Sequence, residues 1–251
     1  YFVTIGSEPG RTNVWTVGFH DVPQAVPVPI GVGTSVGDGT PVAGAGRIET
    51  PGAIDVYLLD VTAGQVLFFE ETTGDCVTPL EWSLEAPGGV TLFAETLGGA
   101  GCGRHAGRLV APATGQYRVT VRGRGDATGS YGFKVWDAPV QEFASGVDTL
   151  VDPDQPGPGA GRIEAPGSWD RYTFQAAPGA RLRFESERAD AGLTGVAWRL
   201  VDSSGAVVFE ACLGCTDPGV RVLSLGGEYT VVVGDVRDGG TGTYRLRWKP
   251  E

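Results

Sequence analysis

The sequence of 251 residues contains no methionine, four cysteines, two lysines and two histidines. The histidines, His20 and His105, stand far apart in the chain, so no Ser/His/Asp or Cys/His arrangement for nucleophilic catalysis can be drawn. No apolar run is long enough for a transmembrane helix, which excludes membrane insertion by that route. We therefore expect a protein that is not an enzyme. Because the first residue is Tyr1, we also expect a mature or excised part of a longer protein.

Positive charge is also scarce, because the formal net charge is −11 at pH 7. A nucleic-acid-binding protein needs a stripe of basic residues to displace counterions, and no such stripe is visible. Attraction to an anionic membrane surface is disfavoured for the same reason. We expect the acidity to keep a β-rich protein soluble and to discourage pairing of exposed strand edges.

Glycine is abundant instead, with 41 residues, and 17 prolines accompany it. The glycines have no three-residue period, so the chain is not collagen-like. Segments such as YRVTVRG and YTVVVGD alternate apolar and polar residues and are rich in β-branched types, which argues against disorder. Many short strands separated by Gly/Pro turns are the expected structure, and this pattern is typical of an all-β fold.

A tandem duplication underlies the pattern. The phrase GAGRIETPGAIDVY at 44–57 recurs as GAGRIEAPGSWDRY at 159–172, and other landmarks recur in the same order after about 115 residues. We predict two β-sandwich repeats, jelly-roll-like, over 24–138 and 139–251. Residues 1–23 align without a gap with 117–139, and we predict that they are the closing hairpin of a preceding repeat. That hairpin should pair with residues 24–50 or with a neighbouring molecule.

The recurring aromatic residues are predicted to anchor the two cores. Each lies in an alternating strand segment, on the face that must be buried against a second sheet. These residues are Tyr57, Trp82, Tyr117 and Tyr131 in the first repeat, and Tyr172, Trp198, Tyr229 and Tyr244 in the second.

These motifs, taken in order, resemble the bacterial pre-peptidase C-terminal type of β-sandwich. The order is GRIETPGAIDVY, a following AG or PG turn, WSL or WRL, GQYRVTV or GEYTVVV, and TGSYGFKV or TGTYRLRW. The resemblance covers both repeats and the N-terminal segment. It implies a secreted or cell-surface protein in which such domains space, fold or attach other domains, and some members depend on calcium.

The glycine-rich phrase itself favours a turn over a chemical site. A phosphate-binding loop needs a helix behind it, and a strand is predicted here. We expect Asp55 and Asp170 to accept backbone hydrogen bonds at this turn. Calcium is the alternative, with Asp38, Asp152 and Asp154 as candidate ligands. No other cofactor is expected.

The four cysteines fall into two pairs, and we predict two structural disulfides. Cys76 and Cys102 flank the Trp82 hairpin, whereas Cys212 and Cys215 form the motif CLGC. A redox CxxC motif normally opens a helix, and a zinc site needs four ligands, so neither fits this context. Disulfides indicate an oxidising compartment.

Two tryptophans near the repeat ends, Trp136 and Trp169, allow two interpretations. They could stack on sugar rings, or they could pack at the junction between consecutive repeats. Their equivalents elsewhere in the chain are His20 and Ile54, so neither tryptophan is repeated, which favours the junction.

The expected function is that of a non-catalytic spacer in a large secreted or cell-surface protein. The short linker WDAPVQEFASG favours a stiff rod. Expected partners are neighbouring domains or other copies of the same protein, with polysaccharide as a further candidate and nucleic acid excluded. The alternatives are a carbohydrate- or calcium-dependent adhesion module, or an accessory domain of a secreted peptidase or toxin.

Overall fold

A computed structural model describes residue 14 and residues 16–74, 80–97, 105–193, 196–215, 217–234 and 239–251. In these ranges the regular structure is β-strand, apart from a single 3-10 turn at Ala191–Leu193. The predicted all-β class is confirmed. No helix in this part of the chain is long and apolar enough to cross a membrane.

The first repeat forms two five-stranded sheets that face each other. One sheet has the order β1-β4-β9-β6-β7, and the other has the order β2-β10-β5-β8 with β3 also paired to β10. The strands are β1 (Val28–Ile30), β2 (Ser35–Val36), β3 (Arg47–Ile48), β4 (Ile54–Val61), β5 (Val66–Gly74), β6 (Leu80–Glu85), β7 (Thr91–Leu97), β8 (Gly107–Val110), β9 (Gly115–Gly123) and β10 (Gly129–Asp137).

The second repeat has the same topology, strand for strand. Its sheets have the orders β11-β14-β19-β16-β17 and β12-β20-β15-β18, with β13 paired to β20. The strands are β11 (Val140–Ala144), β12 (Thr149–Val151), β13 (Arg162–Ile163), β14 (Trp169–Ala176), β15 (Ala180–Ala189), β16 (Ala197–Val201), β17 (Val207–Cys212), β18 (Gly219–Leu223), β19 (Gly227–Gly234) and β20 (Gly242–Pro250).

Each sandwich has a hydrophobic core of its own between its two sheets. In each repeat the first strand joins its sheet in parallel, β1 beside β4 and β11 beside β14, and the remaining ladders are antiparallel. The period-2 alternation of strands such as β6, whose burial alternates along LEWSLE, places one face of each sheet in the core. Two tandem β-sandwiches, as predicted, are the architecture of the chain.

All eight aromatic anchors lie in these cores, and none of them is more than 1% exposed. The hydroxyls of the six tyrosines have hydrogen-bond partners within the fold, whereas the buried indole nitrogens of Trp82 and Trp198 have none among the described residues. Tyr117 donates its hydroxyl to the carbonyl of Ala113 at 2.8 Å, and Tyr229 donates to the carbonyl of Leu225 at 2.9 Å. This repeated corner ties the strand to the preceding loop, so it is part of the architecture.

The predicted N-terminal hairpin is not formed over its described half. Residues 16–27 form no strand, and residues 1–13 and 15 lie outside the described residues. Within the first repeat β10 is held between β2 and β5. The N-terminal segment instead approaches the Pro51–Gly52 turn, where Val22 Cγ2 lies 3.3 Å from the position of a Cβ on Gly52.

Candidate functional site

The repeated phrase builds a buried network of one carboxylate and two tyrosines. In the first repeat Tyr131 donates its hydroxyl to Asp55, and the hydroxyls of Tyr57 and Tyr131 lie 2.7 Å apart. The backbone N–H of Gly46 donates to the Tyr57 hydroxyl at 3.0 Å. Burial raises the pKa of Tyr57 to about 12, so the phenol stays neutral and acts as a hydrogen-bonding bridge.

The second repeat contains the same network in a more enclosed form. Asp170 is 0% exposed and accepts from Tyr244 and, at 3.2 Å, from Tyr172. Burial raises the pKa of Asp170 to about 7, although its hydrogen bonds from the two phenols act in the opposite direction. Burial likewise raises the pKa of Asp55, whose hydrogen bond from Tyr131 acts in the opposite direction. Both aspartates tie their turn to the core.

The two networks differ in how they are covered. In the second repeat Phe143 stacks on Tyr172 with ring centroids 5.0 Å apart. Val28 occupies the same register position beside Tyr57 in the first repeat. The shorter side chain leaves an apolar surface groove of about 430 Å³, which Asp55 and Tyr57 help to line.

The three candidate calcium ligands are engaged in ion pairs and are not gathered at one point. Each has an arginine nitrogen 3.8 Å away, and the pairs are Asp38–Arg47, Asp152–Arg245 and Asp154–Arg162. Asp154 also accepts from the backbone N–H of Gly159 at 3.0 Å. In the described ranges no group of three His, Cys, Asp or Glu side chains could hold a metal ion.

Cys212 and Cys215 form a disulfide at the end of β17. It closes the short CLGC turn, in which the N–H of Cys215 also approaches the carbonyl of Cys212 at 3.4 Å. The other predicted pair, Cys76 and Cys102, lies outside the described residues.

The junction between the repeats is short and hydrogen-bonded on both sides. β10 ends at Asp137 and β11 begins at Val140, so two residues connect the sandwiches. The N–H of Ala138 donates to Val66 of the first repeat at 2.8 Å, and the carbonyl of Pro139 accepts from Trp169 of the second at 3.1 Å. Both linker residues are therefore fixed by the repeats that they connect.

Phe68 is the apolar centre of this junction. Its neighbours Leu67 and Phe69 point into the first core, so Phe68 points out of the sandwich, yet it is 0% exposed. Gly167 and Gly239 of the second repeat cover it. A Cβ on Gly167 would lie 2.6 Å from Phe68 Cδ2, and the backbone there has φ 77°, so the position requires glycine on both counts.

Trp169 lies beside this contact, within reach of two guanidinium groups. Arg108 of the first repeat lies 4.0 Å from the centroid of its ring, and Arg199 of the second lies at 5.1 Å. Arg108 also donates from Nε to the carbonyl of Gly167 at 3.2 Å. Burial, followed by the charges of Arg171 and Arg199, lowers the pKa of Arg108.

Trp136 lies on the same outer face of the first repeat, in register with Phe68. Its indole N–H donates to Glu70, and Lys134 Nζ lies 3.4 Å from the ring centroid. Trp136 and Trp169 are both half-buried. Their rings already have cationic partners within the chain, which leaves less of each face for a sugar.

The sequence interpretation missed Phe68, Arg108 and Gly167. A signal was present in the paired phenylalanines of QVLFFEE, because consecutive residues of a strand face opposite sides. If Phe69 is in the core, Phe68 must lie on an outer face that another surface covers. No comparable signal marks Arg108, whose partner is distant in sequence.

The outer surface of the first repeat carries a second, polar groove of about 620 Å³. Carboxylate and guanidinium groups line it, including Glu81, Glu85, Glu95, Arg122 and Arg124. Arg122 is paired with Glu81 at 3.0 Å. Among the described residues Phe19 is the one mostly exposed aromatic side chain, and it lies in the N-terminal segment away from this groove's lining.

No family model matches the chain, and no curated protein matches it. Solved structures do resemble it. The pre-peptidase C-terminal domain of a collagenase from Bacillus anthracis matches with 14% identity and a TM-score of 0.36, over 46% of this chain and 99% of that one.

Two other solved structures match over most of the chain. The CUB1-EGF-CUB2 domains of rat MASP-1 match with 11% identity and a TM-score of 0.29, over 90% of this chain and 100% of that one. The CBM22-1-CBM22-2 tandem of Xyn10C from Paenibacillus barcinonensis matches with 10% identity and a TM-score of 0.27, over 88% and 91%. At such values these likenesses carry no functional argument, and the fold assignment rests on the strand order itself.

Proposed function

We propose that this chain is a non-catalytic spacer of the pre-peptidase C-terminal type, in a large secreted or cell-surface protein. In this role it holds neighbouring domains at a set distance and orientation. The observation that carries the proposal is the junction, where Phe68 is sealed beneath the second repeat and both linker residues are hydrogen-bonded. Sandwiches joined only by a flexible tether need neither feature.

The buried networks support the same function. Asp55 and Asp170 hold turns in place through tyrosines that are inside the cores. Asp170 has no exposed surface through which its carboxyl could contact a substrate, which supports a structural role for its raised pKa. Structural networks also shift pKa values, and here the hydrogen-bond partners of both carboxylates are phenols of the same repeat.

Residual dipolar couplings measured on the full chain test the proposal. If the two repeats form one stiff body, couplings from both fit one alignment tensor with the same magnitude and orientation. The variant F68A removes the sealed contact and is expected to lower the apparent order of one repeat relative to the other. Independent tensors for the two repeats of the unmodified chain would refute the spacer function.

A binding module is the second candidate, and the polar groove of the first repeat favours it. Carboxylates and guanidinium groups on a sheet face can hydrogen-bond to polysaccharide hydroxyls. Electrophoresis through gels that contain polysaccharides tests this alternative. If the gel retards the chain, and if E81Q and R122Q abolish this retardation while R118Q does not, the result would favour binding. Unretarded migration would favour the spacer.

A further inference from the structure

Three arginines converge at the junction in a chain that is otherwise acidic. Arg171 and Arg199 flank β19, and both stand in register with Val232, so their side chains leave the same face of the sheet. Two strand spacings separate their backbones by roughly 10 Å. Arg108 reaches this face from β8 of the first repeat and lies 4.0 Å from the Trp169 ring centroid.

The charges of these arginines are only partly balanced. Arg171 pairs with Glu142 at 3.1 Å. Within the described ranges Arg108 and Arg199 have no carboxylate within the 4.0 Å of an ion pair, although many arginines elsewhere in the chain do. Burial, and then the nearby charges of Arg171 and Arg199, disfavour the charged form of Arg108 and lower its pKa. A bound anion would relieve this repulsion.

The stacking on Trp169 leaves hydrogen-bond donors free for such an anion. A guanidinium group contacts an aromatic ring with its face, whereas its N–H groups lie in its plane and point outward. Of the donors of Arg108, Nε is used by the carbonyl of Gly167. The remaining planar donors suit two oxygens of one oxyanion, in the fork geometry that arginine makes with sulfate, phosphate or carboxylate groups.

The first repeat has no such arrangement, although its fold is the same. The register positions of Arg171, Val232 and Arg199 are occupied there by Val56, Thr120 and Ser83. The arginine cluster is therefore not a by-product of the sandwich. It occurs where the second repeat meets the first, and Arg108 from the first repeat completes it.

We propose that Arg108, Arg171 and Arg199 form an oxyanion-binding site across the junction, with Trp169 as its platform. The ligand is a sulfate, phosphate or carboxylate group, either as a free ion or as a substituent of an acidic polymer. Because the site takes side chains from both repeats, its occupation stabilises their contact, and it thereby extends the spacer function proposed above.

Titration of the full chain with sodium sulfate, at an ionic strength held constant with sodium chloride, tests the site. The assigned indole N–H resonance of Trp169 should shift and saturate. R199Q should weaken sulfate binding about 10-fold, because it removes one charge-assisted contact. R118Q is the matched control, since Arg118 is exposed on the outer face of the first repeat, and it should bind as the unmodified chain does.

Equal responses to sulfate and chloride would overturn the proposal, as would an equal loss in R118Q and R199Q. If R199Q does not fold, R171Q serves in its place, because the Arg171 side chain is 43% exposed. Failure of the sulfate site can be distinguished from failure of the spacer function, because the residual dipolar couplings test the spacer function in the absence of sulfate.

Dextran sulfate and unsulfated dextran separate the two sources of the oxyanion. Tighter binding of dextran sulfate, per sulfate group, than of the free ion identifies a polymer substituent. Equal binding per sulfate group identifies a free ion, and both results support the site. Binding of unsulfated dextran at the same resonance and with the same affinity would overturn it, because the site would then recognise sugar hydroxyls.

Discussion

The two repeats share one topology but present opposite chemistry on equivalent outer faces. On the β5–β8–β10 face of the first repeat, Phe68 and Trp136 stand in register and the second repeat covers Phe68. On the β15–β18–β20 face of the second repeat, Arg183 and Lys249 occupy the same two positions. These two side chains pair with Glu251 and Glu185, at 2.8 and 3.3 Å.

This contrast shows that a few outward-facing residues decide whether a face of the sandwich docks on a neighbouring unit or faces solvent. The cores are interchangeable in kind, since both contain the Asp–Tyr–Tyr network and the buried tryptophan. In repeat proteins, units stack through apolar interfaces, and a terminal unit needs a polar outer face. A further repeat is therefore not expected to dock on the second repeat in the way that the second docks on the first.

The largest effect is expected from removing the ring that the docking face buries. F68A should lower the free energy of unfolding by about 3 kcal/mol, because the variant leaves a cavity under Gly167 and Gly239. Chemical denaturation of the full chain measures the loss. R183A, at the equivalent position of the second repeat, should leave the free energy of unfolding nearly unchanged. An equal loss in both variants would contradict the inferred difference between the two faces.

A matched pair of glycine variants tests the other side of the contact. Gly52 and Gly167 occupy the same turn, both with positive φ, of 85° and 77°. Alanine should strain either turn by about 1 kcal/mol. G167A should cost about 2 kcal/mol more, since its Cβ meets the ring of Phe68, whereas Gly52 meets only the methyl of Val22. Thermal unfolding compares them, and equal losses would contradict the tight junction.

The two carboxylate networks should differ in pH dependence. The folded-state pKa of Asp170 is about 7, above its unfolded value, so folding takes up a proton in this range. The contribution of this proton uptake to the free energy of unfolding is complete below about pH 4 and is lost as the pH rises through about 7. D170N should remove this decline and cost about 1 kcal/mol at pH 4, through a weakened buried hydrogen bond.

Calorimetry between pH 4 and pH 8 measures this decline. D55N, at the more open network of the first repeat, is the control. It should change the pH dependence of the free energy of unfolding less than D170N does. A pH profile of D170N that matches the unmodified chain would show that this carboxyl does not titrate between folded and unfolded states as described.

The smallest effect is expected from converting the solvated face into a docking face. R183F/K249W places two aromatic side chains where the first repeat has Phe68 and Trp136. Such an exposed patch should cause weak, concentration-dependent self-association, because apolar area becomes available for contact. Sedimentation velocity detects it, and a strictly monomeric variant at the highest soluble concentration would show that the two side chains are insufficient.

Much of the fold followed from the sequence because it depends on local patterning. Alternation in segments such as YRVTV predicts strands, and repetition of Tyr57, Trp82 and their counterparts identifies the cores. The junction could not be predicted in the same way. Its contacts join Phe68 to Gly167, and Arg108 to Trp169, about 60 to 100 residues apart, and no periodicity records which surface meets which.

The two-residue linker sets an angle as well as a distance between the two sandwiches. Ala138 and Pro139 are each hydrogen-bonded to a neighbouring sandwich, so the step from the first repeat to the second includes a defined rotation as well as a defined length. Domains attached to the two ends of the proposed spacer would therefore face in set directions around its long axis. The linker would be an angular setting as much as a measure of reach.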